Sequence, residues 1–561
     1  MSKHVELKKY LFAALSGILI ILSFPNFNLS SLAWFALVPL LVAINGSNWK
    51  SAFRLGFTTG IIYFGGVMIW LMVLVPYSTV FWVSLGYIVL SLYLSCYVFM
   101  FTVAVNMITE YWDRLSNKRH GSFIQPLSYS FLVATIWTGL EILRGHVASG
   151  LPWAGLGYTQ WNNLPIIQIS SIFGTYGVTF LIVLINGVIA SFVINLSRWK
   201  ISLIAIFICL GMFVACLIYG FVSLNTSIDG EKIKVAMIPG NIRQDEKMAS
   251  WGERSGWIFE KYYDLTMQAV KEKPDIIVWP ETAVPKFIFP DSPERDRLRI
   301  MIPIWDVYFL MGVISAEHDQ QNWKVYNSVF LLSPKAEIID KYHKMHLVPI
   351  SESFPLKKYL PKKLHDLVVG VSDFDSGDRY SVFSAPPAKI GVPICFESVF
   401  PEISRKFVGY GANVICMVTN DAWFIGTHAA YQHFSMAPLR AVENRTSIFR
   451  CANYGVSCII DPYGRILKRI DPDDNVEYLA GEVSLNYGGS FYTKHGDYLP
   501  WTCLAVTLFL IFRAWFYENN KILKARGGTN AIRNALSDRG NKKQSHRSRR
   551  ASLTSEAKKK T

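Results

Sequence analysis

The chain has 561 residues, 51% of them hydrophobic, with a mean hydropathy of +0.26 and a formal net charge of +15. That is too long for one ordinary domain and too apolar for a wholly water-soluble chain, so a membrane part joined to a globular part is expected. Residues 519–561 hold thirteen Lys or Arg against two acids, Asp538 and Glu556, so most of the positive surplus sits in the tail. A tail of this kind directly after an apolar run points to anionic lipid head groups rather than nucleic acid.

Apolar runs able to enter a bilayer start near Leu11, Leu32, Phe53, Val80, Ser130, Tyr176, Ile201 and Leu499, measured against the roughly 20 residues a crossing needs. The first, second and fifth are short, which suggests tilt or partial re-entry. Lys8 and Lys9 before Leu11 resemble the start of a signal peptide, but Pro25 follows with no Ala-x-Ala site, so the segment is expected to stay as the first span. Cations alternate by loop: Lys3, Lys8 and Lys9; Lys50 and Arg54; Arg114, Lys118 and Arg119; Arg198 and Lys200; then the tail. The positive-inside rule then gives eight spans, cytoplasmic termini and an outer segment between spans seven and eight.

The domain plan expected is a seven-span membrane part over 1–228, an extracytoplasmic domain over 229–498, an eighth helix over 499–518 and a basic, disordered cytoplasmic tail over 519–561. Within the outer segment, Ile233–Pro239, Asp275–Pro280, Tyr308–Ile314, Val325–Leu332, Lys389–Glu397 and Ala412–Asn420 read as short buried strands. Ile258, Tyr262, Leu265 and Ala269 recur at helical spacing within Glu253–Lys273, and Tyr431–Arg445 reads as a second helix. Strands alternating with helices argue a layered α/β domain.

Three polar residues stand at strand ends or adjacent loops: Glu281 after Trp279-Pro280, Lys344 in Tyr342-His343-Lys344-Met345-His346, and Cys395 before Phe396-Glu397. A thiol nucleophile needs a base to take its proton and a cation to favour thiolate and oxyanion, and Glu281 and Lys344 supply those needs. Each alone has a plainer reading: a turn cap, a solvated charge, a core cysteine. Eight cysteines show no CxxC pair and no Cys/His cluster at zinc spacing, so neither a metal site nor a disulfide framework is indicated. Cys451 and Cys458 flank a possible turn, and two buried strand residues are favoured over a bridge.

Taken together, Trp279-Pro280-Glu281, Lys344-x-His346-Leu347 and Cys395-Phe396-Glu397 resemble the Glu-Lys-Cys triad of the nitrilase superfamily, in the same chain order. Gly240-Asn241-Ile242, His346-Leu347-Val348-Pro349, Glu352, Thr419-Asn420-Asp421-Ala422-Trp423-Phe424, Gln432-His433 and Arg440-Ala441-x-Glu443 resemble its membrane branch, the apolipoprotein N-acyltransferases. Gly150-Leu151-Pro152-Trp153 and Gly157-Tyr158-x-Gln160 extend the resemblance over nearly the whole chain except the tail. It implies a multi-span helical membrane domain plus an extracytoplasmic nitrilase-like αββα sandwich in the bacterial inner membrane.

The activity implied is transfer of an acyl chain from a phospholipid to the α-amino group of the diacylglyceryl-modified N-terminal cysteine of an apolipoprotein. The route is a Cys395 thioester, with Glu281 as base and Lys344 and the Phe396 N–H on the oxyanion. Glu352 and Glu397 are supporting carboxylates, Asn420 belongs to the supporting set, and Trp423 either lines an acyl channel or packs in the core. Trp153, Tyr158 and Trp161 either guide lipid tails or anchor at the interface, while His346 and His433 are structural neighbours. No cofactor, no metal and no nucleic acid are implied, and a monomer is expected.

Departures from the family pattern fall at Pro349-Ile350-Ser351-Glu352, at Ile425 where a glycine usually follows Trp-Phe, and at Lys247-Met248 where Lys-Trp is usual. Phe396 stands where tyrosine is frequent. Two rival readings are a membrane-tethered amidase passing its acyl group to water and a transporter or receptor with a degenerate triad. The spans hold few ionisable residues besides Glu141, poor material for a transport path.

Overall fold

Long apolar segments with few charges satisfy their backbone internally as helices, and such helices dominate the membrane part of this computed structural model. The structure describes residues 3–520, apart from 26, 116–125, 197–198, 229, 290, 320–321, 350, 354–373, 473, 475–476 and 487. Ile350, the loop cations Lys118, Arg119 and Arg198, and the tail beyond residue 520 therefore lie outside the described residues.

Among the described residues, Val80–Leu115, Pro126–Ser149, Thr175–Ile194, Ser202–Leu224 and Tyr498–Asn520 are long and apolar enough to cross a membrane. Trp49–Val67 and Ile69–Tyr77 form a sixth candidate bent by 48°. The first expected span is the helix Lys3–Ser23, with Glu6 in its first turn, packed against Trp49–Val67. The second is not one continuous helix. It breaks into Ser30–Trp34 and Val38–Ile44, with Pro39 in the first turn of the second piece, where a missing N–H costs nothing. Side chains from other helices meet the backbone at this break: Leu37 N–H donates to Asn186 Oδ1 at 2.8 Å and Leu40 N–H to Ser16 Oγ at 2.9 Å.

Among the described residues, twelve strands build the globular domain: β1 Lys232–Met237, β2 Ile276–Trp279, β3 Tyr308–Asp319, β4 Asn322–Leu332, β5 Ile338–His343, β6 Val382–Ala385, β7 Ala388–Gly391, β8 Val414–Thr419, β9 Ile448–Ala452, β10 Ser457–Ile460, β11 Ile466–Ile470 and β12 Leu479–Ser484. They form two six-stranded sheets ordered β12-β1-β2-β3-β4-β5 and β11-β10-β9-β8-β7-β6. Each has three parallel strands at its centre, β1-β2-β3 and β7-β8-β9, flanked by antiparallel neighbours.

Alternation along the strands sorts side chains into layers. Val235, Met237, Ile276 and Val278 share one core with Ile390, Val414, Cys416 and Phe449 of the other sheet. The opposite faces carry Ala236, Ile277, Trp279 and Phe309 under the helix Gly256–Ala269, and Ile415, Met417 and Ile448 under Ala437–Asn444. The result is the expected helix-sheet-sheet-helix sandwich.

Two expected elements differ in detail. The expected helix Tyr431–Arg445 is two helices, Ala429–Phe434 and Ala437–Asn444, parted at Ser435–Met436, because Pro438 has no N–H to bond back to the Phe434 carbonyl and its ring crowds that position. The expected strand Lys389–Glu397 pairs as β7 only to Gly391, after which Ile394 makes a lone bridge to Val418. Cys458 lies opposite Arg450 in the β9–β10 register, so Cys451 and Cys458 point to opposite faces of the sheet. Both are free and buried.

Candidate active site

The lone bridge ends the extended backbone at Ile394, and the chain turns at once into a short 3₁₀ segment, Cys395–Val399. Cys395 takes the turn with φ of 49°, a left-handed conformation uncommon outside glycine. Such a turn lifts the thiol out of the sheet into the cleft where the two sheets' loops meet. Glu281 leaves β2 on the facing sheet through a second left-handed residue, Thr282, with φ of 42°. Room for that turn comes from Gly312 on β3, where an added Cβ would lie 2.1 Å from the Pro280 carbonyl oxygen.

Lys344 follows β5, and its ammonium lies 3.3 Å from Glu281 Oε1 and 2.8 Å from Glu352 Oε1. Asn327 on β4 donates from Nδ2 to the same two oxygens, at 2.7 Å and 3.2 Å. Glu281 Oε2 accepts from the Asn420 N–H at 2.8 Å, across the gap between the sheets. Lys344 is buried, and the two carboxylates hold its pKa above the ordinary lysine value against the cost of desolvation. Burial, then the nearby Glu281 carboxylate, push the Cys395 thiol up, while Lys344 and a hydrogen bond from Thr419 pull the other way. The resting sulfur is therefore a thiol within the field of both Glu281 and Lys344.

Glu397 joins the two halves. Its Oε1 accepts from Tyr342 OH at 2.9 Å, Met345 N–H at 2.7 Å and His346 N–H at 3.1 Å, and Oε2 accepts from Ile394 N–H at 2.8 Å. Burial raises its pKa and these donors oppose the rise. Glu352 is fixed by Val348 N–H at 2.8 Å. Asn420 donates to Gln244 Oε1 and accepts from Asn453 Nδ2, both at 2.9 Å. Phe396 is buried against Phe400 and His346.

Trp423 is half-buried and meets Tyr77 of the bent membrane helix edge-on at 5.2 Å, while Phe424 meets Trp70 at 4.8 Å. These aromatic contacts join the candidate site to the membrane part. The Ile425 departure is accommodated: Ile425 has φ of −51°, and the left-handed position is taken by Gly426 at 78°. Trp153 is buried, donates from Nε1 to Gln432 Oε1 at 2.8 Å and stacks on His433 with ring centroids 5.6 Å apart. Tyr158 OH accepts from Arg440 at 3.1 Å. Trp161 packs edge-on to Phe434 and donates to Asn28 Oδ1.

Among the polar groups around the thiol, His433 is the expected structural neighbour, while its links to Ser398 and Asp421 were not foreseen. Ser398 Oγ lies 2.8 Å from His433 Nε2, and His433 Nδ1 lies 2.9 Å from Asp421 Oδ1. Ser398 also donates to the Cys395 carbonyl at 2.8 Å, and Arg450 holds Asp421 Oδ2 at 2.7 Å. Despite burial, Arg450 and His433 keep the Asp421 carboxyl well below the usual carboxylate range. The chain of contacts props the nucleophile turn from behind. Lys247, in the helix Gln244–Ala249, donates to Thr282 Oγ1 at 2.9 Å and to the Glu281 carbonyl at 3.3 Å. Among the described residues, no group of three His, Cys, Asp or Glu side chains is placed to hold a metal.

A second buried ion cluster fastens this domain to the membrane helices. Arg440 pairs with Glu443 at 2.8 Å, and Arg440 also reaches Tyr158 OH and Thr175 Oγ1, at 3.1 Å and 2.9 Å. Glu443 Oε1 accepts from Thr175 N–H, the first residue of the helix Thr175–Ile194, at 2.9 Å.

The sequence matches two family models: the apolipoprotein N-acyltransferase N-terminal domain over residues 16–188 and the carbon-nitrogen hydrolase domain over 241–492. An apolipoprotein N-acyltransferase of Geobacter metallireducens is 38% identical over 506 residues, covering 89% of this chain and 94% of that protein. The chain belongs to the apolipoprotein N-acyltransferase family. Apolipoprotein N-acyltransferase 1 of Treponema denticola is 30% identical, covering 92% of this chain and 97% of that one. The crystal structure of Saccharomyces cerevisiae Nit3, a member of branch 10 of the nitrilase superfamily, aligns at 20% identity with a TM-score of 0.35, over 46% of this chain and 92% of that chain. The protein is thus an acyltransferase of lipoprotein biosynthesis with a nitrilase-like domain, carried in the inner membrane by its apolar helices.

Proposed function

We propose that Cys395 carries the acyl chain as a thioester, with Glu281 as general base and Lys344 as the cation of the reaction, the acyl donor being a phospholipid. The observation that carries this reading is the Glu281–Lys344 contact at 3.3 Å, held on one sheet and facing the left-handed Cys395 turn of the other. Glu281 takes the thiol proton as sulfur attacks the ester carbonyl. Lys344 and the Phe396 N–H stabilise the oxyanion. The C–O bond then breaks, and Glu281 returns its proton to the departing lysophospholipid alkoxide.

In the second half the neutral α-amino group of a diacylglyceryl-cysteine apolipoprotein attacks the thioester carbon. Glu281 takes the proton from nitrogen, the C–S bond breaks, and the proton returns to sulfur, giving an amide and free thiol. Glu352 and Asn420 hold Lys344 and Glu281 in place, Glu397 ties the Lys344 loop to the nucleophile turn, and Trp423 lines the lipid path. Water would consume the thioester, so an aromatic rim next to the membrane part suits the chemistry. The catalytic domain faces the extracytoplasmic side, both termini face the cytoplasm, and the protein acts as a monomer.

The test is acyl trapping. Protein purified in detergent and given phospholipid should gain one acyl mass on the Cys395 peptide, discharged by a diacylglyceryl lipopeptide. Release of the chain as free fatty acid at the same rate without lipopeptide would make it a hydrolase instead, and transfer by Cys395→Ala would end the assignment.

A further inference from the structure

The mechanism leaves unused a buried cation that touches the backbone of Glu281. Lys247 turns inward from a helix whose other charged residues stay outside: Asp245 pairs with Arg243 at 3.2 Å, and Glu246 accepts from the Arg243 N–H at 3.3 Å. The Lys247 side chain is only 4% exposed. Its ammonium bonds a hydroxyl and a carbonyl, Thr282 Oγ1 and Glu281 O, and among the described residues it forms no ion pair. Lys344 differs, since two carboxylates already claim it. An ammonium has three donors and is costly to bury beside neutral acceptors alone, so its placement calls for a charge that it serves.

Glu281, Glu352 and Lys344 together carry one net negative charge, and Lys247 brings the cluster to neutrality. The titratable groups facing Lys247 from other elements are Glu281 and Cys395, and those acting on Cys395 are Glu281, Lys344 and Asp421. When the proton passes from Cys395 to Glu281, thiolate and Glu352 face two cations rather than one. The same ammonium grips Thr282, a β-branched residue at a φ of 42° that only its surroundings can maintain.

We infer that Lys247 is a positioning residue of the catalytic apparatus, tethering the Glu281–Thr282 turn and supplying the second positive charge that the Cys395 thiolate needs. This rests on the reading of Cys395 as nucleophile. Burial pushes Lys247 down to about 8, against the pull of Glu281 and then Cys395. Its charge is present at neutral pH and fades as pH rises through that value.

The test uses the full chain in detergent and follows iodoacetamide alkylation of Cys395 by mass spectrometry of its peptide, with thermal melting as the check on folding. Lys247→Gln keeps a hydrogen-bonding tether without charge and should be alkylated about tenfold more slowly near neutral pH, the effect of about a one-unit rise in the thiol pKa. Lys247→Arg keeps the charge at all accessible pH, so its rate relative to the natural protein should climb through about pH 8. A tether alone would not produce that climb. Wild-type reactivity in Lys247→Gln, or a flat Lys247→Arg ratio from about pH 6.5 to about pH 9.5, would overturn the inference, and the ratio decides alone if the glutamine variant does not fold. Alkylation needs no lipid, so failure of acyl trapping leaves this test standing.

Discussion

Two of the buried ion clusters in this domain behave differently. Arg440 and Glu443 sit at the seam with the membrane helices, where Tyr158, Thr175 and the Val399 carbonyl close around the guanidinium. Lys344 and its two carboxylates sit between the sheets, with the Cys395 thiol inside their field. Both clusters cost desolvation and regain it through partners. Enclosure on every side makes the first a fastening; a reactive atom left beside the second makes it chemistry.

Removing the cation from each cluster separates the two roles most sharply. Lys344→Met should lower the rate of acyl-enzyme formation about a thousandfold, the scale for losing an oxyanion partner, measured by single-turnover thioester trapping. Arg440→Leu strands Glu443 and should cost about 3–5 kcal/mol of stability, with far less effect on trapping per folded molecule. The double variant Arg440→Leu, Glu443→Leu should recover most of that loss in a melting experiment. If Arg440→Leu instead behaved like Lys344→Met, the contrast between fastening and chemistry would fail.

A smaller effect is expected at Asn327, which bonds both carboxylates of the reactive cluster. Asn327→Ala should slow acylation roughly 10- to 100-fold, the rate equivalent of one or two hydrogen bonds to a charged group. His346 offers a pH signature. Burial and then Lys344 push its pKa from 6.5 down to about 4 in the folded protein, so the unfolded chain binds the extra proton between those values. Stability from this source is present above 6.5 and falls as pH drops toward 4. His346→Phe should flatten the dependence of melting temperature on pH over that window. Smallest of all, Trp153→Phe keeps the ring on His433 but loses the bond to Gln432, at about 1 kcal/mol.

How much of this was legible in the sequence follows from where each signal lies. Strands such as β2 and β8 are buried on both faces and read as unbroken apolar runs. The edge strands β5 and β11 bury only one residue each, and β9 carries a buried arginine, Arg450, in place of an apolar residue. Local pattern therefore had nothing to show there. Glu281 was marked by its position after the strand-like run of β2 and Cys395 by lying in the expected strand Lys389–Glu397, whereas Lys344 follows β5 and stood out only through its motif. Asn327 left one available mark, a lone amide inside the apolar run of β4, whereas Lys247 and the Ser398–His433–Asp421 chain depend on partners brought near only by folding. The short run at Leu32 forms two helical pieces, and apolarity alone does not reveal that Asn186 and Ser16 reach across to receive the broken backbone.

Glu397 has a consequence for motion. Its two oxygens hold the amide hydrogens of Met345 and His346 on one side and of Ile394 on the other. The loop bearing the cation and the turn bearing the nucleophile therefore open as one cooperative unit or not at all, and hydrogen exchange at those three amides should rise and fall together.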